Sequence, residues 1–594
     1  MCHIAFQQEV KMSFTPPIKL IQYLIEHSTD LDIILNSPAF EGINMELIGD
    51  VLSAASNFSQ NKWAPLNWAG DQNPAKLIDG QVISTPGFKE AYKDFVDAEW
   101  LSIATPSEVG GMGLPQVVKV GTDEMFYAAN MALGLCPMLT SSAAKAILAH
   151  ADGSIRNKYL PKMVCGEWTG AMCLTEPQAG SDLGPVRTKA LDNGDGTYSI
   201  TGQKIYITWG DHDVADNIIH LVLARLPNAP LGSKGISLFL CPKFMVNDNG
   251  ELGARNSFSA IGLEHKLGIH GSPTCVMEFS SATGWLIGKE NQGLSCMFTM
   301  MNEARLFVGV QGVAIGERAY QAALQYSNDR VQGRTITGIE SINGHPDVRR
   351  SLIDMKAKLL GARAICLAAA AAGDIASHSS DENIRKEAHI REALLTPVAK
   401  AYGSDIGVEV SSLGVQVHGG MGFVEETGAA QHYRDSRIAP IYEGTNGIQA
   451  IDLVGRKLRR DGGAGMNALI VDLKKVCNLA NTSSFDLIEC SASLMDGIQT
   501  LELATDIMLQ ADEIDALSAA TPYLNIVASV ISGAFIMKAV VNGAIAGDEN
   551  TENMVSLCTY HLKSIMPLAK NSIEFLRSPN KLVFDFPREQ LADL

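Results

Sequence analysis

The sequence predicts a mostly helical α+β protein built from several packed units, and three observations carry that expectation. With 594 residues, the chain is too long for one hydrophobic core, since domains usually run about 100 to 200 residues. Ala, Leu and Met recur at helical spacing through its first and last parts. Between them lie β-branched and aromatic runs cut by Gly- and Asn-rich turns. A composition of 46% apolar and 19% charged residues suits a chain that buries a large core.

The start, MCHIAFQQEVKMSF, lacks a basic segment followed by a continuous apolar run, so no secretory signal is read there and Met12 is an alternative initiator. Segments such as TDEMFYAANMALGLC and SSAAKAILAHA read as helices and place an N-terminal helical domain over residues 1–165. TYSITGQKIYITWG and NIIHLVLARL, bounded by DNGDG, PNAPLGSKG and NDNG, read as strands and turns of a middle β domain over 166–284. Leu306, Val310, Val313 and Ala314 then form an i, i+4, i+7, i+8 stripe, which opens a second helical domain over 285–460.

Adjacent glycines in RDGGAGM, residues 460–466, read as a helix stop and short linker. Beyond it Leu469, Ile470, Leu473, Val476 and Cys477 restart a helical stripe, so 461–594 is an additional helical unit. The most membrane-like stretch, IVASVISGAFIM at 526–537, stops at Lys538. It falls short of the roughly 20 residues a span requires and reads as a buried helix, so no membrane insertion is expected.

Lys and Arg number 47 against 65 Asp and Glu, a formal charge of −18 that disfavours nucleic acid and anionic lipid as partners. The RKLRR run at 456–460 precedes Gly462 and reads as cations complementing a helix C-terminus. Eleven cysteines are scattered without a C-x-x-C pair, which points to reduced thiols and a cytoplasmic protein. The histidines are dispersed, and His265, His270 and His418 form no helical metal pair, so no metal is expected.

GGMG occurs at 110–113 and 419–422, but neither copy has the G-x-G-x-x-G spacing of a dinucleotide fingerprint. AMCLTEPQAGSDLG, 171–184, brings the hydroxyls of Thr175 and Ser181 together with Gly180 at the entry to the β domain. Such a loop offers side-chain and backbone donors to an electron-rich ring or a phosphate. KIYITWG, 204–210, ends in Tyr206, Thr208 and Trp209, so two clusters stand ready to clamp a planar cofactor, or else are ordinary turns with Tyr206 and Trp209 packed in the core. IYEGTNGIQ, 441–449, sets one acid, Glu443, ahead of a glycine-rich turn.

Together with VQVHGGMGF at 415–423, these motifs resemble, in order, four signatures of the acyl-CoA dehydrogenase family, and the resemblance runs from the first helical domain to about Arg460. It implies an N-terminal helical, a middle β and a C-terminal helical domain, with FAD between the last two. It implies that Leu174, Thr175, Tyr206 and Thr208 line the flavin ring and that Arg330, Gln416, Gly419, Gly420 and Thr445 belong to the FAD site. Arg330 would pair with the diphosphate across a homodimer interface, a task suited to a planar fork of donors. Arg305 and Gly444 would contact the acyl-CoA, and Ser181 would lie near the nucleotide end of CoA or the flavin diphosphate. Glu443 would remove the α-proton of the thioester while the β-hydrogen leaves as hydride, its basicity raised by partial desolvation, with its own backbone N–H among the donors to the thioester oxygen.

Some branches of the family take the acid from the position before the arginine matching Arg305, which here is Ala304. Glu303 lies about 100° away on a helix and reads as a paired or solvated charge. Gly447 stands where many members have glutamine, which removes one contact near FAD. The unit after 460, with TPYLN at 521–525, and the insert EHKLGIHGSPTC at 264–275 resemble a long bacterial branch of the family.

The implied function is α,β-dehydrogenation of a short or medium acyl-CoA, with 3-(methylthio)propanoyl-CoA a candidate and electrons passing to an electron-transfer flavoprotein. A straight-chain fatty acyl-CoA dehydrogenase, an acyl-CoA oxidase and a non-catalytic DNA-associated flavoprotein are the alternatives. The ending LADL is not a peroxisomal S-K-L signal. The last helical unit is expected to extend the subunit interface or to cover the CoA channel.

Overall fold

The computed structural model describes residues 14–588; the region around Met12 and the terminal LADL lie outside them. The described chain forms two compact units, one from residues 57–115 and 129–307, the other from 14–56, 116–128 and 308–588.

The first unit is centred on a sheet of seven strands: β1 (Trp168–Cys173), β2 (Lys189–Asp192), β3 (Tyr198–Thr208), β4 (Asn217–Ala224), β5 (Ser237–Pro242), β6 (Phe258–Leu263) and β7 (Thr274–Ile287). Their order is β1-β4-β5-β7-β3-β2, with β6 also on β7. Within this sheet β1 and β4 pair in parallel, and the other pairs are antiparallel. β1, β4 and β5 are buried at every residue, which explains their continuous apolar runs. β3 lays Ile200 and Ile207 into a core with Val222, Phe239, Met277 and Phe279.

The register of β3 against β7 slips once near its end, where Ile207 faces Cys275 but Lys204 faces Met277. β3 spends an extra residue there, and Tyr206 takes a left-handed φ of +58°. Such a bulge re-aims a side chain, and Tyr206 stands 61% exposed. Trp209 also has positive φ but is fully buried. Its indole N–H donates to the Ala132 carbonyl at 3.1 Å, and its ring stacks with Phe88. Of the two readings of Trp209, cofactor clamp or core packing, the structure shows core packing, whereas Tyr206 is turned outward.

The second unit is helical. Its main elements are α1 (Ile18–Ser28), the start of α2 (Gln116–His150), most of α3 (Gly293–Asp329), α4 (Pro346–His378), α5 (Glu382–His418), α6 (Asn446–Asp452), α7 (Ala464–Ala480), α8 (Ile488–Gln510), α9 (Ala520–Ala546) and α10 (Thr551–Tyr560). The helix expected across TDEMFYAANMALGLC breaks at Asn130 (φ −159°, ψ 93°), whose Oδ1 accepts the Leu133 N–H at 3.1 Å and restarts the helix as a cap. The stripes Leu306, Val310, Val313, Ala314 and Leu469, Ile470, Leu473, Val476, Cys477 are buried.

α3 and α5 approach until their backbones touch. A Cβ added to Gly403 would lie 2.5 Å from the Gly309 carbonyl oxygen, and one added to Gly312 would lie 2.1 Å from that of Gly403. Backbone cannot give as a flexible side chain can. Gly403→Ala is expected to lower stability by about 1–3 kcal/mol, read as an earlier transition in thermal or urea unfolding.

α9 is apolar on all sides, the mark of a helix packed all round, and it lies against α1, α4, α8 and α10. Tyr23 donates to the Ala539 carbonyl at 3.1 Å, and Asn542 donates to that of His27 at 2.9 Å. Lys538 does not end the helix, because its ammonium reaches Asp30 at 2.7 Å. The run at 526–537 is a buried helix, as expected, within an element of 27 residues that continues past Lys538. α2, α4 and α9 are each long and apolar enough to cross a membrane, and 83–89% of their most apolar windows is buried in protein.

Candidate active site

Glu443 sits half-buried in a tight loop between the Ala429–Ser436 helix and α6. It adopts φ +56° and Gly444 φ +82°. A left-handed conformation costs a glutamate about 1 kcal/mol or more and persists only where the surroundings over-determine it. Here they do. The N–H groups of Ile441 and Tyr442 both donate to the Ile438 carbonyl, at 2.9 and 3.1 Å, and Asn446 N–H closes the loop onto Pro440 at 3.0 Å. Gln449 Nε2 donates to the carbonyls of Gly444 (3.0 Å) and Glu443 (3.4 Å), and the Tyr442 hydroxyl donates to Gln311 on α3. Burial pushes the Tyr442 phenol far above its ordinary range, with the Glu443 charge adding to it, so it remains a neutral donor.

Thr445 is the N-cap of α6, its Oγ1 accepting the Ile448 N–H at 3.3 Å, which leaves its O–H available to donate. Gly447 is exposed. Gln416 lies exposed on the last turn of α5, and Gly419 ends that helix at φ +58°, ψ −138°, a conformation reserved for glycine. Nothing approaches within 4 Å of a Cβ added at Gly419 or Gly420. Arg330 is exposed just after α3 and donates to Gln332 at 3.3 Å.

In the sheet unit, Leu174 and half-buried Thr175 leave the end of β1, and the Thr175 carbonyl accepts the Ile205 N–H at 2.9 Å. Half-buried Thr208 closes β3 opposite Thr274. Ser181 is exposed in the loop. Arg305 is buried, with its guanidinium 5.7 Å from the Phe298 ring and a bond of 3.3 Å to Asn302. Glu303 pairs with Lys145 at 3.1 Å, as a paired helix charge should. Of the two GGMG turns, 110–113 is structural: a Cβ on Gly111 would strike the Thr105 carbonyl at 2.1 Å.

Two residues that sequence reading passed over hold the AMCLTEPQAGSDLG loop. Lys204 is fully buried, and its ammonium meets Glu176 at 2.8 Å and the Leu174 carbonyl at 3.0 Å. Glu176 also accepts from Thr188 Oγ1 (2.6 Å) and from the Arg187 N–H (2.7 Å). The available signal was a lysine in phase with Ile200 along the strand, since an unpaired one would not be buried on that face.

Burial alone would raise the Glu176 carboxyl, but Lys204 and these hydrogen bonds outweigh it and bring it from 4.5 down to about 2. A depressed folded-state value stabilises fully above the ordinary one and is lost as pH falls through the depressed one. Stability should therefore fall between pH 4.5 and about 2. Glu176→Gln should make that slope shallower by about one proton in acid denaturation followed by circular dichroism.

Among the described residues, one group, Glu26, His27 and Asp548, brings possible metal-ligand atoms within 4.8 Å of one another. The His27 ring is already engaged by Asp548 at 3.1 Å. Arg459 of the basic run donates to the Asp512 carbonyl at 3.1 Å, a structural use of that charge.

Profiles of the acyl-CoA dehydrogenase N-terminal, middle and C-terminal domains match residues 54–167, 171–282 and 291–458. The chain is 48% identical to the 3-methylmercaptopropionyl-CoA dehydrogenase of Ruegeria pomeroyi, over 76% of this chain and 77% of that protein. It is 31% identical to the broad-specificity linear acyl-CoA dehydrogenase FadE5 of Mycobacterium tuberculosis, over 92% and 95%. Its fold matches an acyl-CoA dehydrogenase complexed with FAD from Bacillus anthracis at a TM-score of 0.73 and 22% identity, over 96% and 93% of the two chains. With three domain profiles in order and these relatives, the chain belongs to the acyl-CoA dehydrogenase family and is an FAD-dependent oxidoreductase.

Proposed function

We propose that the protein dehydrogenates a short or medium acyl-CoA between its α and β carbons, with Glu443 as the base that removes the α-proton. The observation that carries this reading is the over-determined left-handed loop at Glu443, since backbone strain retained against so many fixed contacts marks a functional position. The loop orients one carboxylate before the substrate arrives and so lowers the entropy cost of reaching the α-carbon.

The donor set suits FAD. Arg330 and Gln416, both exposed, and the uncovered backbone at Gly419–Gly420 have the chemistry to hold a diphosphate. Leu174, Thr175, Tyr206, Thr208 and Thr445 are the residues assigned to the rest of the cofactor. When bound, FAD supplies the two-electron acceptor for the β-hydrogen. Ser181, Arg305 and Gly444 are assigned to the thioester and its CoA.

The preferred substrate is 3-(methylthio)propanoyl-CoA, supported by the 48% identical relative. A straight-chain acyl-CoA is the second reading, supported by the relative that spans 92% of this chain. The two differ by sulfur for methylene, which an apolar pocket distinguishes weakly. Electrons would pass to an electron-transfer flavoprotein, the protein would work as a cytoplasmic homodimer, and the domains would follow 1–165, 166–284, 285–460 and 461–594.

A panel of acyl-CoA thioesters mixed anaerobically with the flavin-loaded protein tests this. Fastest bleaching by the methylthio compound, with slow recovery in air, is expected. Rapid peroxide formation would point to an oxidase, and no bleaching by any thioester would remove the proposal.

A further inference from the structure

The Glu443 loop is fastened to α5 through the side chain of Asn446, which begins α6. Its carbonyl oxygen accepts from the Lys400 ammonium at 2.8 Å and from the Ser404 hydroxyl at 3.2 Å. Its amide N–H2 donates one hydrogen to Asp405 Oδ1 at 2.7 Å and turns the other toward Ser404 Oγ at 3.0 Å and the Ala401 carbonyl at 3.2 Å. Lys400 is fully buried, whereas Asp405 is exposed on the wall of an open cleft of about 470 Å³ that Pro440 also borders.

We propose that Asn446, gripped between Lys400 and Asp405, is the positioning residue that sets Glu443 for proton removal. Lys400 and Asp405 stand five residues apart on one helix, about 7.5 Å of rise. An amide placed between a cation and an anion has one orientation, because a flip sets N–H2 against ammonium and oxygen against carboxylate. The backbone N–H of this same residue closes the loop onto Pro440 at 3.0 Å. Fixing Asn446 therefore fixes the far end of a turn whose middle is Glu443. Charge-assisted bonds to a buried ammonium are the strongest available for that purpose.

This role rests on Glu443 acting as the base. The test compares Asn446→Ala, Asp405→Leu and Asp405→Asn with wild type and Glu443→Gln, as flavin-loaded full-length proteins. The limiting rate of flavin bleaching by acyl-CoA is read separately from the substrate concentration at half-saturation, and amide hydrogen exchange is followed over residues 440–449.

A misplacement of about 1 Å costs on the order of 10²-fold in rate. Asn446→Ala and Asp405→Leu should thus slow the limiting rate by about 10- to 100-fold, leave half-saturation little changed, and speed exchange in the loop. Asp405→Asn keeps an acceptor for the Asn446 amide and should restore most of the rate. Equal rates per bound flavin in Asn446→Ala and wild type would overturn the positioning role, as would Asp405→Asn slowing as much as Asp405→Leu. If Asn446→Ala does not hold flavin, the exposed Asp405 pair decides alone. Undiminished bleaching in Glu443→Gln would instead overturn the base itself.

Discussion

Glu443→Gln is expected to retain its flavin and its unfolding temperature while losing at least about 10³-fold in the rate of flavin bleaching by substrate, the scale of a lost general base. Glutamine has the same shape and the same tolerance of the loop, so the change removes the proton acceptor and little else. A stopped-flow measurement under anaerobic conditions reads it directly. Glu443→Gly sharpens the interpretation, because the wild-type backbone at φ +56° is free of strain for glycine. That variant should be as inactive as the glutamine one and no less stable than wild type. Retained bleaching in both would place the base elsewhere in the chain.

Arg363→Met should produce the largest loss of stability, about 3–5 kcal/mol. Arg363 on α4 is almost fully buried and grips Glu124 of α2 through Nε at 2.9 Å and Nη2 at 2.7 Å. The same Nη2 reaches Glu317 of α3 at 2.8 Å, and Lys356 stands 3.4 Å from Glu317, so two cations balance two anions. Methionine fills comparable volume but leaves two carboxylates in the core with one ammonium, which pairs only with Glu317. Arg363→Lys should recover only part of the loss, since a point charge cannot replace the fork.

The pH dependence gives a second signature. Burial would raise the Glu317 carboxyl, yet Lys356 and Arg363 bring it from 4.5 down to about 2. Its contribution is complete above pH 4.5 and vanishes toward 2. Without Arg363 that acid limb should move to higher pH, which thermal unfolding at graded pH would show.

Much of this was legible in the sequence because it is local. Long helices announce themselves by period, as at Leu306–Ala314 and Leu469–Cys477, and the strands by β-branched runs between turns. The nine residues from Ile441 to Gln449 singled out the glycine-rich loop that turns left-handed at Glu443 and Gly444. What stayed hidden depends on distance along the chain or on backbone handedness. Arg363 and Glu124 are 239 residues apart, and Lys204 finds Glu176 across a loop. The bulge at Tyr206 reverses which side chains face inward, which separates exposed Tyr206 from buried Trp209 where the sequence left both as clamp or core. No period reveals that Asn446 is a hub, because its partners Lys400 and Asp405 lie on another helix.

The lodging of α9 against α1 has a consequence for biosynthesis. Tyr23 and its acceptor Ala539 are separated by 516 positions. At translation speeds of about 5–20 residues per second, the nascent N-terminal helix waits roughly 25–100 seconds for the segment that covers it. During that interval the side of α1 that meets α9, with Tyr23 on it, stays exposed to water and is a natural contact for a chaperone. A ribosome that stops before codon 520 would release a chain whose α1 lacks its α9 neighbour.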